Sequence, residues 1–196
     1  MEKINFIKTF IPKGDFNEKY EHGEMMVRHL AAVLDEKMGA YECYECTVPI
    51  GEYDEGEIQK AFIEFTAKMD ALKLKQAKVE KIAEITAYDT SDKVNGFVLN
   101  GLLVWLDKAT RVGLMNSTTI AKAAGQQTTT LWLGDVKLEV DCDKAIQLLS
   151  ALEMYALECF NVTAAHKAAV TDLKTIKEVE AFDVTADYPK QLEMKL

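Results

Sequence analysis

The chain has 196 residues, of which 48% are hydrophobic and 28% charged, and its formal net charge is −9. That length supports one or two domains with a real core and the composition is that of a globular protein, while the acidic balance argues against the clustered Lys and Arg that nucleic-acid backbones or anionic membranes select. The opening MEKINFIKTF lacks the apolar core of a secretory signal, no run approaches the ~20 apolar residues of a membrane span, and four cysteines are too few for a disulfide framework in a chain of this size; the expectation is a protein made in a cytoplasm, with neither nucleic acid nor membrane as partner.

In chain order, Ile4 to Ile11 alternates weakly and reads as a strand, followed by a turn at Pro12, Gly14 and Asp15. After His22-Gly23, the spacing of Met26, Val27, Leu30, Leu34 and Met38 predicts a helix from Glu24 to about Met38, stopped by Gly39. Tyr41 to Ile50 reads as a second strand, with Pro49 marking its end or a sheet edge. Residues 1–55 are thus expected to form a small N-terminal strand–helix–strand segment.

From Gly56 to about Ala87 there is no proline and no internal glycine. Ile58, Phe62, Phe65, Met69, Leu72, Gln76, Val79 and Ala83 follow one another in alternating steps of four and three, a heptad seam with Gln76 as its polar member. Two readings stand side by side. The helix packs on its own domain, or residues 56–87 are a connector whose seam joins two or three copies, with Gln76 setting register as a single polar core residue does in coiled coils.

Residues 88–196 carry one plan twice. Val94 to Leu99 is a strand, Asn100-Gly101 a hairpin turn of the type that needs φ > 0 at both positions, and Leu102 to Leu106 the return strand. Asp107 is placed to cap a helix from Lys108 that ends at Gly125. The second round has strands at Thr129 to Leu133 and Val136 to Val140 about a Gly134-Asp135 turn. Asp141 or Asp143 then caps a long helix whose apolar line is Leu149, Leu152, Ala156, Cys159, Thr163, His166 and Val170. Thr175 and Glu178 form a capping box for a short helix to about Ala181. Phe182 to Pro189 reads as an ordered coil pinned by Phe182 and Tyr188. The predicted fold class is α+β: a ββα-ββα domain with an antiparallel sheet carrying helices on one side and a long C-terminal helix, preceded by the heptad helix and a small N-terminal α/β segment.

Few residues invite chemistry. Cys43-Tyr44-Glu45-Cys46 is a lone CxxC, and with His22 and His29 it makes a conceivable metal set. On a strand, however, Cys43 and Cys46 face opposite ways, and a redox CxxC normally opens a helix, which this one does not. His166 falls on an apolar helix face and reads as a buried, hydrogen-bonded core histidine. Asp107 and Arg111 are one helical turn apart and are expected to pair. Ser117 and Ser150 have no nucleophile-elbow setting, and Gly96, Gly101, Gly113 and Gly125 are turn and helix-end glycines rather than a phosphate loop. Trp105 and Trp132 occupy comparable places in the two hairpins, either as sheet core or as a platform facing a partner. No catalytic residue, metal or cofactor is expected.

The segment from about Thr86 to Leu192 resembles domain-of-unknown-function family 4376, common in phage and prophage genomes and often encoded beside tail-fibre genes. The residues that carry the likeness are FVLNGLLVWLD, the Asp–x–x–x–Arg helix start at Asp107 and Arg111, TTLWLG, the His166-Lys167 pair, and a closing Phe182-Asp183…Tyr188-Pro189. Many relatives close on Tyr-Asp…Trp-Pro instead. The order WLDKATRVGLMNS…LWLGDVKLEVDCDKAIQLLSALE is similar to the form carried by gut-bacterial phages and prophages. The resemblance implies no catalytic residues. It implies a non-enzymatic virion component near the tail fibre, with itself (as dimer or trimer) and other tail or tail-fibre proteins as partners, located in the virion and, during assembly, in the host cytoplasm. The alternatives are a tail-fibre assembly chaperone not retained in the virion, and a small metal- or ligand-binding domain resting on the CxxC and His166.

Overall fold

The computed structural model describes residues 4–12, 17–19, 23–35 and 40–195, with side chains over 4–9, 23–29 and 42–195. The chain has mixed α and β structure and divides into two compact units, residues 1–73 and 74–196.

The first unit is a four-stranded antiparallel sheet with helix packed on one face. Its strands are β1 (Ile7–Pro12), β2 (Asn17–Lys19), β3 (Glu24–Asp35) and β4 (Ala40–Pro49), in the order β1-β4-β3-β2. The helix expected from Glu24 to Met38 is therefore a strand as far as it is described. Met38 and Gly39, like His22, Gly14 and Asp15, lie outside the described residues. The correction has a clear physical source. The run MMVRHLAAVL satisfies a helical period and also puts Met25, Val27 and His29 on one face of a strand. β4 decides between them, because its residues YECYECTVP pair across the whole length in the register Met25↔Val48, Val27↔Cys46 and His29↔Tyr44. On that face Tyr44, Cys46 and Val48 are buried with Phe6 and with Ile58 of α1 (Glu55–Asp89), and Met25, Val27, Phe62 and Phe65 pack around them.

Helix α1 spans slightly more than the predicted 56–87, but its heptad seam does not keep one environment. Ile58, Phe62 and Phe65 belong to the first unit's core, and Met69 is half-buried. Further along, Leu72 and Val79 are 51% and 54% exposed. Gln76 is also exposed, its Nε2 donating to Glu80 Oε1 at 2.7 Å. In the second unit the buried face of α1 is instead Leu74, Ala77, Ile82 and Ile85, which pack with Val170, Val179 and Val184.

The second unit continues with α2 (Asp92–Asn95), the hairpin β5 (Gly96–Leu99) and β6 (Leu102–Trp105), and α3 (Lys108–Ala123). Then come the hairpin β7 (Thr128–Leu133) and β8 (Val136–Asp141), α4 (Cys142–Asp172), α5 (Ile176–Glu180) and β9 (Leu192–Met194). Asn100 and Gly101 have φ of 50° and 84°, as an Asn-Gly two-residue turn requires, and Gly134 has φ of 63°. Asp107 caps α3 by accepting from Thr110 N–H at 2.9 Å. At the other end Gly125 N–H donates to Lys122 C=O at 2.9 Å and Gln126 N–H to Ala121 C=O at 3.1 Å, the paired bonds of a Schellman close. Asp141, not Asp143, caps α4, and the Thr175–Glu178 capping box is formed.

The strands do not make one antiparallel sheet. They form two ladders, β6-β5-β9 and β7-β8, and β9 runs parallel to β5 in the register Phe97↔Leu192 and Leu99↔Met194. Three residues, LEM, carry no recognisable strand pattern, and β5 recruits them only because α4 and the coil after it bring the chain back alongside. Both ladders nevertheless share a core. Phe97, Leu99, Val104 and Leu106 meet Leu131, Leu133 and Val140 over Ala145, Leu148, Leu149 and Leu152 of α4, with Leu114 and Met115 of α3 half-buried against them.

Gly96 sits where β5 begins, and a Cβ there would lie 2.1 Å from the backbone carbonyl oxygen of Asp92. Gly113, on the exposed side of α3, has open space around its Cβ position. Gly96→Ala is expected to destabilise by about 1–3 kcal/mol, because a backbone atom cannot rotate away. Gly113→Ala should stabilise by about 0.5–1 kcal/mol. Thermal melts of the two variants check the pair, and equal shifts would contradict the close approach at Gly96.

Candidate functional site

The end of β6 and the middle of α4 frame a cleft of about 550 Å³ in the second unit. Along β6, Val104 faces the core while Leu103 and Trp105 point outward, so the indole reaches the surface at 43% exposure. Gly96 is the cross-strand neighbour of Trp105 and offers no side chain to cover it. From α4, Leu157 and Phe160 line the same cleft at 50% and 63% exposure. Asp89, Thr90 and Asn95 close another side, where the Asn95 side-chain amide donates to the Asp89 carbonyl and Thr163 Oγ1 donates to the Asp89 carboxylate at 2.7 Å.

Arg111 stands at the base of the cleft. It does not pair with Asp107, whose carboxylate is taken up by the Thr110 N–H and hydroxyl; those bonds hold the Asp107 carboxyl below its ordinary range. Instead Arg111 Nε donates to Glu153 Oε1 at 2.9 Å and Nη1 donates to the Leu106 carbonyl at 2.6 Å. Buried at 9% exposure, the guanidinium thus ties the end of β6 to α4. The i,i+4 spacing suggested Asp107; the partner forty-two residues away is set by packing.

The cleft lining combines three exposed apolar side chains with an ion pair whose guanidinium is buried and whose carboxylate is partly exposed. That arrangement suits burial of an apolar side chain of a partner against an orienting polar base. Leu157, Phe160 and Glu153 were missed at the level of sequence. A signal was present: Met154 and Leu157 stand on the side of the helix away from the predicted apolar line and Phe160 on its flank, and a helix with apolar residues beyond one face needs something to cover them. Trp132 is also exposed, at 57%, on the face of β7 opposite Leu131 and Leu133, but it does not line this cleft. The sheet-core reading of the two tryptophans is therefore not what the side chains do.

The other candidates separate. Cys43 and Cys46 are both buried, on opposite faces of β4, and burial pushes the Cys46 thiol up to about 11. His29 lies on the face of Cys46, its ring stacked on Phe62 with centroids 3.8 Å apart, and burial lowers its pKa. His22 is outside the described residues. Among the described residues no three His, Cys, Asp or Glu side chains gather as a ligand set. His166 is buried between the ring edges of Phe182 and Tyr188, with centroids 5.3 and 5.5 Å away, so these two aromatics do pin the closing coil. It is not hydrogen-bonded at Nδ1, however, which finds no partner among the described residues. Tyr188 and Thr163 share a hydroxyl–hydroxyl bond of 2.8 Å.

A family model described as a domain of unknown function (DUF4376) matches residues 76–186, more than half of the chain. The chain belongs to this family. The matched segment takes in the cleft, the Arg111–Glu153 pair and both hairpins, and stops short of Tyr188 and Pro189. No curated protein and no solved structure matches the chain. No described helix is long and apolar enough to cross a membrane.

Proposed function

We propose that the chain is a non-catalytic docking and assembly protein, which multimerises through α1 and holds a partner protein on the surface around Trp105. The setting we propose is the tail or tail-fibre region of a phage or prophage particle, as a structural or adaptor subunit. That setting is supported by the sequence resemblance described above, and it makes virion and host cytoplasm the places to look. The observation that carries the docking role is the group of Trp105, Leu157 and Phe160 around one cleft, each more than two-fifths exposed. Large apolar side chains clustered at a surface are what partner proteins cover, and a Trp beside a desolvated pocket is the usual centre of such a contact. The assembly role is supported by Leu72 and Val79, which stay exposed on a seam whose earlier members are used inside the chain. The order β5-β6-α3 followed by β7-β8-α4 is further read as one ββα plan used twice, each round adding a hairpin to the common core.

Light scattering of the full chain tests the assembly role. A dimer or trimer is expected, and Val79→Lys, alone or with Leu72→Lys, should give the monomer with an unchanged circular dichroism spectrum, since each buried Leu or Val in such a seam contributes roughly 1.5–3 kcal/mol. A wild-type chain that is monomeric at every concentration would remove that half of the proposal. Mass spectrometry of purified particles tests the setting: presence supports a virion subunit, and absence favours a folding chaperone that leaves before completion.

A further inference from the structure

Away from the Trp105 cleft, the second unit has a groove of about 760 Å³ whose two walls are both strand edges. β8 is the outer strand of its two-stranded ladder and β9 the outer strand of the other ladder. Leu138 and Glu139 line one wall, Met194 and Lys195 the other, and Leu148 and Ala151 of α4 line it between them. The direction of the backbone groups follows from the registers. The two-residue turn between Leu133 and Val136 makes those residues a hydrogen-bonded pair, so Leu131↔Leu138 is bonded and Thr130↔Glu139 is not; the Glu139 N–H and C=O point away from β7. On β9 the Met194 carbonyl accepts from Asn100 N–H at 3.0 Å, which turns Met194 toward β5 and the Glu193 N–H and C=O away from it.

We propose that this groove takes one extended segment of a partner protein, which adds as a strand between β8 and β9 and joins the two ladders into a continuous sheet. The hydrogen-bonding chemistry selects the occupant. The outward N–H and C=O of Glu139 on one wall, and those of Glu193 next to the lining residue Met194 on the other, are matched together only by another backbone in extended form. The helix beneath presents Leu148 and Ala151 beside Lys144 and Gln147, so of the alternate side chains that face it those against Leu148 and Ala151 are small and apolar, with polar residues between. The outward-facing backbones of Lys137, Glu139 and Asp141 on β8 fit a segment of about five residues at ~3.3 Å per residue. This interaction goes beyond docking at Trp105, which uses a different set of residues.

The test is selection of a randomised seven-residue peptide library on the immobilised full chain, with the selected sequence then made synthetically. Selected peptides should alternate small apolar and polar residues, and binding should slow amide hydrogen exchange at Glu139 and Glu193. Glu139→Pro removes the outward donor without removing a bond to β7, and should weaken binding by about tenfold or more. Glu139→Ala keeps the donor and should bind as the wild type does. Glu193→Pro makes the same test on the other wall if the first variant folds poorly. The proposal fails if no peptide is enriched, if the peptides protect amides near Trp105 instead, if a second copy of the chain alone occupies the groove, or if the folded proline variants bind unchanged.

Discussion

Phe97→Ala should lower the stability of the second unit by about 3–5 kcal/mol. The ring is 1% exposed and sits in the middle strand of β6-β5-β9, paired with Val104 on one side and Leu192 on the other. Its removal leaves a cavity bordered by both ladders and by α4, elements whose other contacts hold them apart from collapsing inward. The cost is therefore the lost transfer free energy of the ring plus the cavity. Both tryptophans of the chain lie in this unit, so a urea titration followed by indole fluorescence reports on it alone. A shift below about 1 kcal/mol would mean that Phe97 does not hold the two hairpins on α4.

Glu153→Ala is the second large effect, expected at about 2–4 kcal/mol. The Arg111 side chain is 11% exposed and the Glu153 side chain 35%. Removing the carboxylate strands a nearly buried guanidinium with the Leu106 carbonyl as its remaining partner. Partial hydration through the cleft keeps the cost below that of a fully buried pair. Glu153→Gln retains an acceptor oxygen and should recover roughly half of the loss. Because the pair also sets the base of the cleft, Glu153→Ala should weaken partner docking more than Glu153→Gln does. Denaturant titrations of the two variants check the order, and a Glu153→Gln variant as stable as the wild type would show that the ion pair contributes no more than a neutral hydrogen bond.

Sequence patterns were most informative wherever a structure is set by its own neighbours. The Asn100-Gly101 turn, the Asp107 cap, the Gly125 stop and the Thr175–Glu178 box all depend on local backbone geometry, and each is where its residues say it should be. Most of the buried line of α4 was also readable, from Leu149 and Leu152 through Cys159, Thr163 and His166 to Val170; Ala156 lines the cleft instead, and Cys142, Ala145, Leu148 and Tyr155, whose hydroxyl donates to the Val94 carbonyl, are buried outside that line. The family could be recognised from the order of these same segments.

What lies far apart in the chain had to wait for the fold. Residues 24–35 satisfy two periods at once, and the β4 ladder settles them as strand. Arg111 has a near candidate and a distant one, and burial selects Glu153. β9 has no pattern of its own and exists because β5 had an open edge. Along α1 a single heptad period serves two different cores, so a seam uniform in sequence becomes buried at Ile58 and exposed at Val79. The division is physical. Turns, caps and helix faces arise from interactions within a few residues, which the local sequence specifies, whereas strand pairing, ion-pair choice and the exposure of an apolar side chain depend on which distant segment arrives beside it.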